Sequence, residues 1–161
     1  GCGTGAFMAE VLRRRSVPRT VGMDLSPALL RQARARVPGR RSRFLLAGLG
    51  AGAPGAPFDL VTSIGVLQKC GTPLAKAVAL MAELLAPGGQ LFATTKNRDW
   101  SRFKDPGFVP EPGHHWFRLA EIREAFALAG LDIVRLKGFE PRTGTAGAAE
   151  DFHSVFILAK K

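Results

Sequence analysis

Three glycines and one acidic residue near the start of the chain have the spacing of a nucleoside-binding site. The chain begins GCGTG, and an aspartate follows about twenty residues after this glycine loop. Glycine allows unusual backbone turns and leaves the backbone bare for a ligand to pack against. A carboxylate at that distance accepts hydrogen bonds from ribose hydroxyls in dinucleotide-binding folds. The pattern predicts a nucleoside site formed by Gly1, Cys2, Gly3, Thr4, Gly5 and Asp24.

The spacing alone leaves the identity of the nucleoside open. Gly1, Gly3 and Ala6 fit the dinucleotide fingerprint GxGxx(G/A). The shorter pattern GxGxG, with an acidic residue at the end of the next strand, equally fits other ligands that contain adenosine. A turn with a purely structural role is a third interpretation, and the spacing of Asp24 argues against it.

Alternating strands and helices are needed to position these residues, and the hydrophobic pattern predicts them. Periodicity and capping signals, such as Ser26 before Pro27, predict helices over 6–15, 26–37, 74–86 and 119–130. Short apolar runs predict strands over 20–25, 43–47, 58–64, 90–96, 131–139 and 153–161. This alternation is typical of one α/β domain, over residues 1–161, with a doubly wound and mostly parallel sheet. No helix separates the last two strands, so we expect them to pair, with the final strand antiparallel.

The net charge of +10 is concentrated near the start of the chain. Residues 1–43 hold ten arginines against Glu10 and Asp24, whereas the rest is nearly balanced. Such a basic face attracts nucleic acid or anionic membranes. Aromatic side chains do not interleave with these arginines, as they do in proteins that bind single strands. We therefore favour solvated helix faces and helix C-terminal turns over a nucleic-acid surface.

The remaining composition argues against several other classes. No apolar run approaches the roughly 18–20 residues that span a bilayer. Cys2 and Cys70 form no CxxC pair, so we expect neither a disulfide framework nor a zinc site. Two thiols in a chain of this size indicate a reducing compartment, which we interpret as the cytoplasm.

Several segments, in order along nearly the whole chain, resemble the class I S-adenosylmethionine-dependent methyltransferases. The segments similar to the family are the cofactor loop GCGTG, the strand and helix VGMDLSPALLRQAR, the fourth-strand region FDLVTSIGVLQ, the helix, turn and strand LMAELLAPGGQLFATT, and HHWFRLAEIREAFALAGLDIV. A nicotinamide-dependent dehydrogenase would not be expected to show the PGG turn or the antiparallel ending. The resemblance thus favours S-adenosylmethionine over a dinucleotide.

This resemblance implies a Rossmann-like fold and S-adenosylmethionine as the cofactor. Asp24 occupies the position of the residue that binds the ribose in this family, and Met23 or Leu25 occupies the position that flanks the adenine. The loop after the third strand often holds an acidic residue for the adenine amino group. Gly48 and Leu49 stand there in this chain, so a backbone contact must replace that carboxylate.

The resemblance also implies a role for the end of the fourth strand and a further strand before the glycine loop. Ser63 and Ile64, at the end of the family's fourth strand, are expected to lie near the cofactor and its transferred methyl group. In the family a central strand and further helix precede the glycine loop. We therefore expect the first strand of the sheet to be missing from this sequence, which would make it incomplete at its N-terminus.

The segment 97–117 is the expected substrate lid, because it is long and rich in aromatic residues and prolines. Its HxW arrangement is similar to that of ubiquinone-type O-methyltransferases, which makes His114 and His115 the candidate bases for a hydroxyl acceptor. His153, in the last predicted strand, is interpreted as structural. The predicted function is methyl transfer to a small molecule, at a hydroxyl oxygen.

Two other functions stay open at this point. A nucleic-acid methyltransferase would use the basic N-terminal face, although the NPPY-type signature of enzymes acting on exocyclic amines is absent. A non-catalytic nucleoside-binding module would need only the glycine loop and Asp24. The sequence does not identify the methyl acceptor or the oligomeric state.

Overall fold

The computed structural model describes residues 1–39 and 41–161, which divide into a first unit of residues 1–55 and a second unit of residues 56–161. Both units combine helices with strands. The predicted α/β class is therefore confirmed, whereas the prediction of a single domain stays a prediction.

The first unit is built on two parallel strands and two helices. Its elements are α1 (Ala6–Arg14), β1 (Thr20–Asp24), α2 (Pro27–Arg36) and β2 (Ser42–Leu46). The two strands pair in parallel, with Asp24 opposite Leu46 at their carboxyl ends. All four elements agree with the predicted ones to within one residue at each end.

Local sequence explains where both helices of the first unit begin. The Ser26 side chain accepts a hydrogen bond from the Leu29 amide at 3.3 Å, and Pro27 occupies the first helical position of α2. Gly5 caps α1 with a left-handed φ of 72°. A Cβ at Gly5 would also stand 3.2 Å from the Cα of Ala33 in α2. Glycine at this position therefore lets the start of α1 approach α2.

The second unit holds a larger sheet and two helices. Its elements are β3 (Phe58–Ser63), α3 (Leu74–Glu83), β4 (Leu85–Asn97), β5 (Trp116–Phe117), α4 (Leu119–Leu128), β6 (Asp132–Phe139), β7 (Ala146–Gly147) and β8 (Ser154–Lys160). The strand order is β3-β4-β8-β6-β7, and β5 pairs with β4. β8 is antiparallel to both β4 and β6, so β3, β4 and β6 run in one direction around a reversed strand. The predicted antiparallel pairing of the last two long strands is confirmed.

The helix α3 is shorter than the predicted helix over 74–86. It ends at Glu83 because β4 begins at Leu85, which already pairs with Phe58. The residues of the PGG turn therefore form an irregularity within the β3–β4 pairing instead of a separate turn. A Cβ at Gly89 would stand 2.9 Å from two carbonyl oxygens, so this irregularity needs glycine.

Segment 97–117 is also more ordered than predicted. It contains a 3₁₀ turn at Ser101–Lys104 and the short strand β5, which pairs in parallel with the carboxyl end of β4. The buried Asn97 side chain donates hydrogen bonds to the carbonyls of Ala149 and Phe152, at 2.8 and 3.2 Å. This amide therefore anchors the start of the segment to the turn before β8.

The core of the second unit predicts how strongly α4 contributes to its stability. Phe126 is fully buried, whereas Leu128 on the same helix is 74% exposed. We expect Phe126→Ala to lower the free energy of unfolding by about 3–5 kcal/mol, because it removes buried contacts and leaves a cavity. Leu128→Ala, the matched control, should change it by less than about 0.5 kcal/mol. Chemical denaturation measures both, and equal effects would contradict this core assignment.

Candidate functional site

The Asp24 carboxylate joins the glycine loop to the end of β1. The Gly3 amide donates to Asp24 Oδ2 at 2.8 Å, and the Ser26 amide donates to Asp24 Oδ1 at 2.9 Å. An ionised carboxylate has about four acceptor positions, so each oxygen keeps a lone pair for a further donor. The predicted pairing of this loop and this acid is therefore present in the first unit.

The glycine loop is hydrogen-bonded to β1 through its backbone. The Cys2 amide donates to the Met23 carbonyl at 2.7 Å, and the Gly5 amide donates to the Cys2 carbonyl at 3.0 Å. Gly3 has a φ of 55°, and a Cβ added there would meet nothing within 4 Å. Its glycine is therefore required by the backbone turn, and the space beside it is open to a ligand.

Cys2 contributes to this loop through its backbone. Its half-buried side chain lies beside β1, where the Sγ is 3.0 Å from the place a Cβ would take on Gly22. Burial raises the pKa of the Cys2 thiol, so the thiol stays protonated at neutral pH. A protonated and packed thiol is a poor nucleophile, and the side chain is therefore a packing group.

The predicted adenine-side residues lie next to Asp24. The Leu25 side chain is 76% exposed, and its Cδ2 is 3.6 Å from the place a Cβ would take on Gly48. The Ala47 amide donates to the Asp24 carbonyl at 3.1 Å, and a 3₁₀ turn begins at Leu49. The carboxyl ends of β1 and β2 thus bring a carboxylate, an exposed apolar side chain and a bare glycine backbone together.

Several arginines of the first unit form contacts within that unit. The guanidiniums of Arg13 and Arg14 hydrogen-bond to Glu10 and lower the pKa of that carboxyl to about 2. Other partners are carbonyl oxygens, of Phe44 for Arg34 at 3.0 Å and of Thr4 for Arg36 at 2.9 Å. The latter bond also holds Thr4 of the glycine loop, so part of the basic composition supports the site.

Ser63 and Ile64 mark the carboxyl end of β3 in the second unit. Ser63 is buried, whereas the Ile64 side chain is 39% exposed. The chain turns at Gly65, which has a φ of 69° and whose amide donates to the Thr94 hydroxyl at 2.9 Å. This turn directs the following residues away from the strand, and the cofactor role of Ser63 and Ile64 stays a prediction.

The two candidate bases differ in their surroundings. His114 is largely buried, with 6% of its side chain exposed, and its Nδ1 lies 2.7 Å from Glu111 Oε2. His115 is exposed and stacks on Phe117 with ring centres 6.4 Å apart. The sequence did not indicate a carboxylate partner for either histidine. Glu111 is such a partner, and its spacing of three residues from His114 was the available signal.

Four aromatic side chains of segment 97–117 pack on one another and form what we call the aromatic cluster. Ring centres are 5.2 Å apart for Trp100 and Phe108, 5.3 Å for Phe103 and Trp116, and 5.6 Å for Phe108 and Trp116. All four rings are half-buried. The aromatic cluster therefore gives this segment a half-buried core of its own.

Sequence reasoning missed a polar group next to the aromatic cluster. Lys96 Nζ lies 3.4 Å from His153 Nδ1, and His153 Nε2 lies 3.7 Å from Glu140 Oε2. The Ser154 hydroxyl is 2.8 Å from the same Nδ1. These contacts depend on the pairing of β4 with β8, so no local signal in the sequence could have found them.

Two further kinds of site are absent from the described residues, 1–39 and 41–161. Within them, no group of three or more His, Cys, Asp and Glu side chains is placed to hold a metal ion. None of their helices combines the length and apolarity required to cross a membrane.

Comparisons with known proteins agree with this arrangement. The family described as "Methyltransferase domain" matches residues 1–136. A ubiquinone biosynthesis O-methyltransferase of Paracidovorax citrulli is 30% identical over 177 residues, covering 99% of this chain and 73% of that protein. A trans-aconitate 2-methyltransferase of Rhodopseudomonas palustris is 29% identical over 144 residues, covering 89% of this chain. The chain spans 51% of that second relative.

The fold is likewise that of solved methyltransferases. The crystal structure of an S-adenosylmethionine-dependent methyltransferase from Mesorhizobium loti superposes with a TM-score of 0.79 at 20% identity. The match covers 100% of this chain and 88% of that chain. The ordered motifs, the Asp24–Gly3 contact and these matches agree on one assignment. The chain belongs to the class I S-adenosylmethionine-dependent methyltransferases, whose cofactor is S-adenosylmethionine.

Proposed function

We propose that the protein transfers the methyl group of S-adenosylmethionine to a small-molecule acceptor, at a hydroxyl oxygen. The observation that carries the proposal is the hydrogen bond between the Gly3 amide and the Asp24 carboxylate, which unites the two predicted halves of a nucleoside site. The printed names of the relatives, a ubiquinone biosynthesis O-methyltransferase among them, support a small-molecule acceptor and transfer to oxygen.

The residues of the first unit fit the nucleoside part of this cofactor. Asp24 keeps a free lone pair on each oxygen for the ribose hydroxyls, because its two amide donors use one position each. The exposed Leu25 side chain offers an apolar surface for the adenine ring. Gly3 leaves open space beside the loop, and the backbone at Gly48 and Leu49 would contact the base in place of a carboxylate.

The chemistry asked of the protein is mainly positioning. When bound, S-adenosylmethionine supplies a methyl group on a sulfonium whose leaving group is neutral, so no acid is needed to release it. Alignment of the reactants can supply much of the acceleration. A hydroxyl acceptor must in addition lose its proton, which requires a base within hydrogen-bond reach.

We propose His114 as that base, assisted by Glu111. Glu111 Oε2 lies 2.7 Å from Nδ1 without hydrogen-bond geometry, so its negative charge stabilises the imidazolium that forms when Nε2 takes the proton. His115 is the alternative, since its exposed ring needs no rearrangement to meet an acceptor.

The nucleic-acid alternative is weakened by the arginine contacts of the first unit. A phosphate-binding face needs guanidiniums that are available to phosphates. Arg13 and Arg14 instead share Glu10, and Arg36 holds the glycine loop. These contacts support a structural use of Arg13, Arg14 and Arg36.

Both cysteines are free thiols. We also propose a reducing compartment, the cytoplasm, because the chain has only two cysteines and no CxxC pair.

Asp24→Ala is expected to weaken binding of S-adenosylhomocysteine by about a hundredfold, since it removes hydrogen bonds to a charged acceptor. Asp24→Asn should show a smaller loss, because its one oxygen still accepts from the Gly3 or Ser26 amide. Isothermal titration calorimetry measures both, with Asp59→Asn, an exposed acid of β3, as the control. Unchanged affinity in Asp24→Ala would remove this carboxylate from the ribose site.

His114→Gln is expected to lower kcat by about 10²–10⁴-fold, since the acceptor hydroxyl loses its base. The KM for S-adenosylmethionine should stay near its original value, because His114 is not among the proposed cofactor-binding residues. Transfer of labelled methyl is measured with the best acceptor in a panel of phenols and hydroxy acids. Glu111→Gln should give a smaller loss of kcat, and a larger loss in His115→Gln than in His114→Gln would contradict the assignment.

A further inference from the structure

The Lys96 side chain stands at the meeting point of three strands of the second unit. Lys96 of β4 pairs with Trp116 of β5 on one side and with Ser154 of β8 on the other. Its Nζ lies over the Trp116 indole, 5.4 Å from the ring centre, and 3.4 Å from His153 Nδ1. The half-buried ammonium is thus held between an aromatic face and an imidazole.

The imidazole does not neutralise this ammonium. Burial, with the Lys96 charge as a second cause, lowers the pKa of His153, so the ring is neutral at neutral pH. A lysine ammonium only donates, so Nδ1 accepts and the proton lies on Nε2, which faces Glu140 at 3.7 Å. Glu140 is therefore directed to the far side of the ring from Lys96.

No carboxylate oxygen in the described part of the chain lies within 4.0 Å of the Lys96 ammonium. Throughout residues 1–39 and 41–161, the carboxylate ion pairs within 4.0 Å involve other cations. A partly desolvated ammonium without a counter-ion has a strong preference for an anion. This charge is the first of two unsatisfied features at the same place.

The second feature is an indole N–H that lacks an acceptor. Trp116 Nε1 is buried and has no hydrogen-bond partner among the described residues. Buried polar groups in folded proteins nearly always have a partner, so an orphaned one calls for an explanation. Lys96 and the Trp116 N–H are both donors, and what they lack in common is an acceptor oxygen.

The surroundings restrict the shape of the molecule that would supply this oxygen. The rings of the aromatic cluster lie next to Lys96, through Trp116, and are half-buried. Aromatic faces favour planar, apolar partners that stack on them or meet them edge to face. An anion with a planar body satisfies the donors and the rings together.

We propose that Lys96 binds the carboxylate of a planar acceptor molecule whose body packs against the aromatic cluster. Lys96 is in this view a specificity-determining residue and takes no part in the methyl transfer itself. The inference rests on the proposed function in one respect, since it takes the bound carboxylate to belong to the methyl acceptor.

Intrinsic fluorescence offers a direct test that needs no methyl transfer. The chain contains two tryptophans and no tyrosine, and both tryptophans belong to the aromatic cluster. We expect 4-hydroxybenzoate to quench or shift this emission with a saturating curve. Its uncharged analogue 4-hydroxybenzamide should bind more weakly by about tenfold or more, because it lacks the charge-assisted bond. Equal affinity for the two probes would overturn the proposal.

Three variants of the whole chain separate the charge from packing. Lys96→Gln is expected to weaken binding of 4-hydroxybenzoate by about tenfold or more, and Lys96→Arg should retain most of it. Lys104→Gln is the matched control, because Lys104 is an exposed lysine of the same segment. Unchanged affinity in Lys96→Gln, with an unchanged melting temperature, would overturn the role of Lys96.

Calorimetry with S-adenosylhomocysteine on the same preparations separates this inference from the proposed function. Binding of S-adenosylhomocysteine without selective binding of 4-hydroxybenzoate would overturn the Lys96 site and leave the proposed methyl transfer standing. Selective binding of 4-hydroxybenzoate without S-adenosylhomocysteine would support the Lys96 site and contradict the cofactor site.

Discussion

The contact between the Asp24 carboxylate and two backbone amides is the constraint on which the cofactor site depends. One amide, of Gly3, precedes β1 in the chain, and the other, of Ser26, follows it. A single side chain therefore fixes the glycine loop, the end of β1 and the start of α2 relative to one another. The same carboxylate keeps acceptor positions for a ligand, so its structural role and its proposed binding role do not compete.

A second constraint, the reversed strand β8, organises the other unit. Because β8 lies between β4 and β6, it brings His153 and Ser154 next to the carboxyl end of β4. Asn97 then ties that end to the turn before β8. The place of Lys96 follows from this pairing together with that of β5. The strand that joins β4 to β6 in the sheet thus also builds the proposed anion site.

The location of charge proves more informative than its total. Most of the excess of +10 comes from arginines near the N-terminus, yet Arg13, Arg14 and Arg36 bond to groups of the first unit itself. Lys96, one cation in a nearly balanced part of the chain, has neither a carboxylate partner in the described structure nor full exposure to water. A charged side chain that is partly desolvated and has no counter-ion is suited to bind a ligand, whereas an exposed charge is satisfied by water.

The sequence by itself determined the elements of the first unit, the α/β class and the partnership of Gly3 with Asp24. Those features depend on helix caps, on hydrophobic periodicity and on the spacing between the glycine loop and Asp24, which can be seen in the sequence itself. It did not indicate that α3 ends at Glu83, where an early strand pairing competes with the helix pattern. The group formed by Lys96, Trp116 and His153 was decided only by the tertiary structure, because these residues meet through strand pairing between distant segments. Such register depends on the packing of the whole sheet, and no local pattern encodes it.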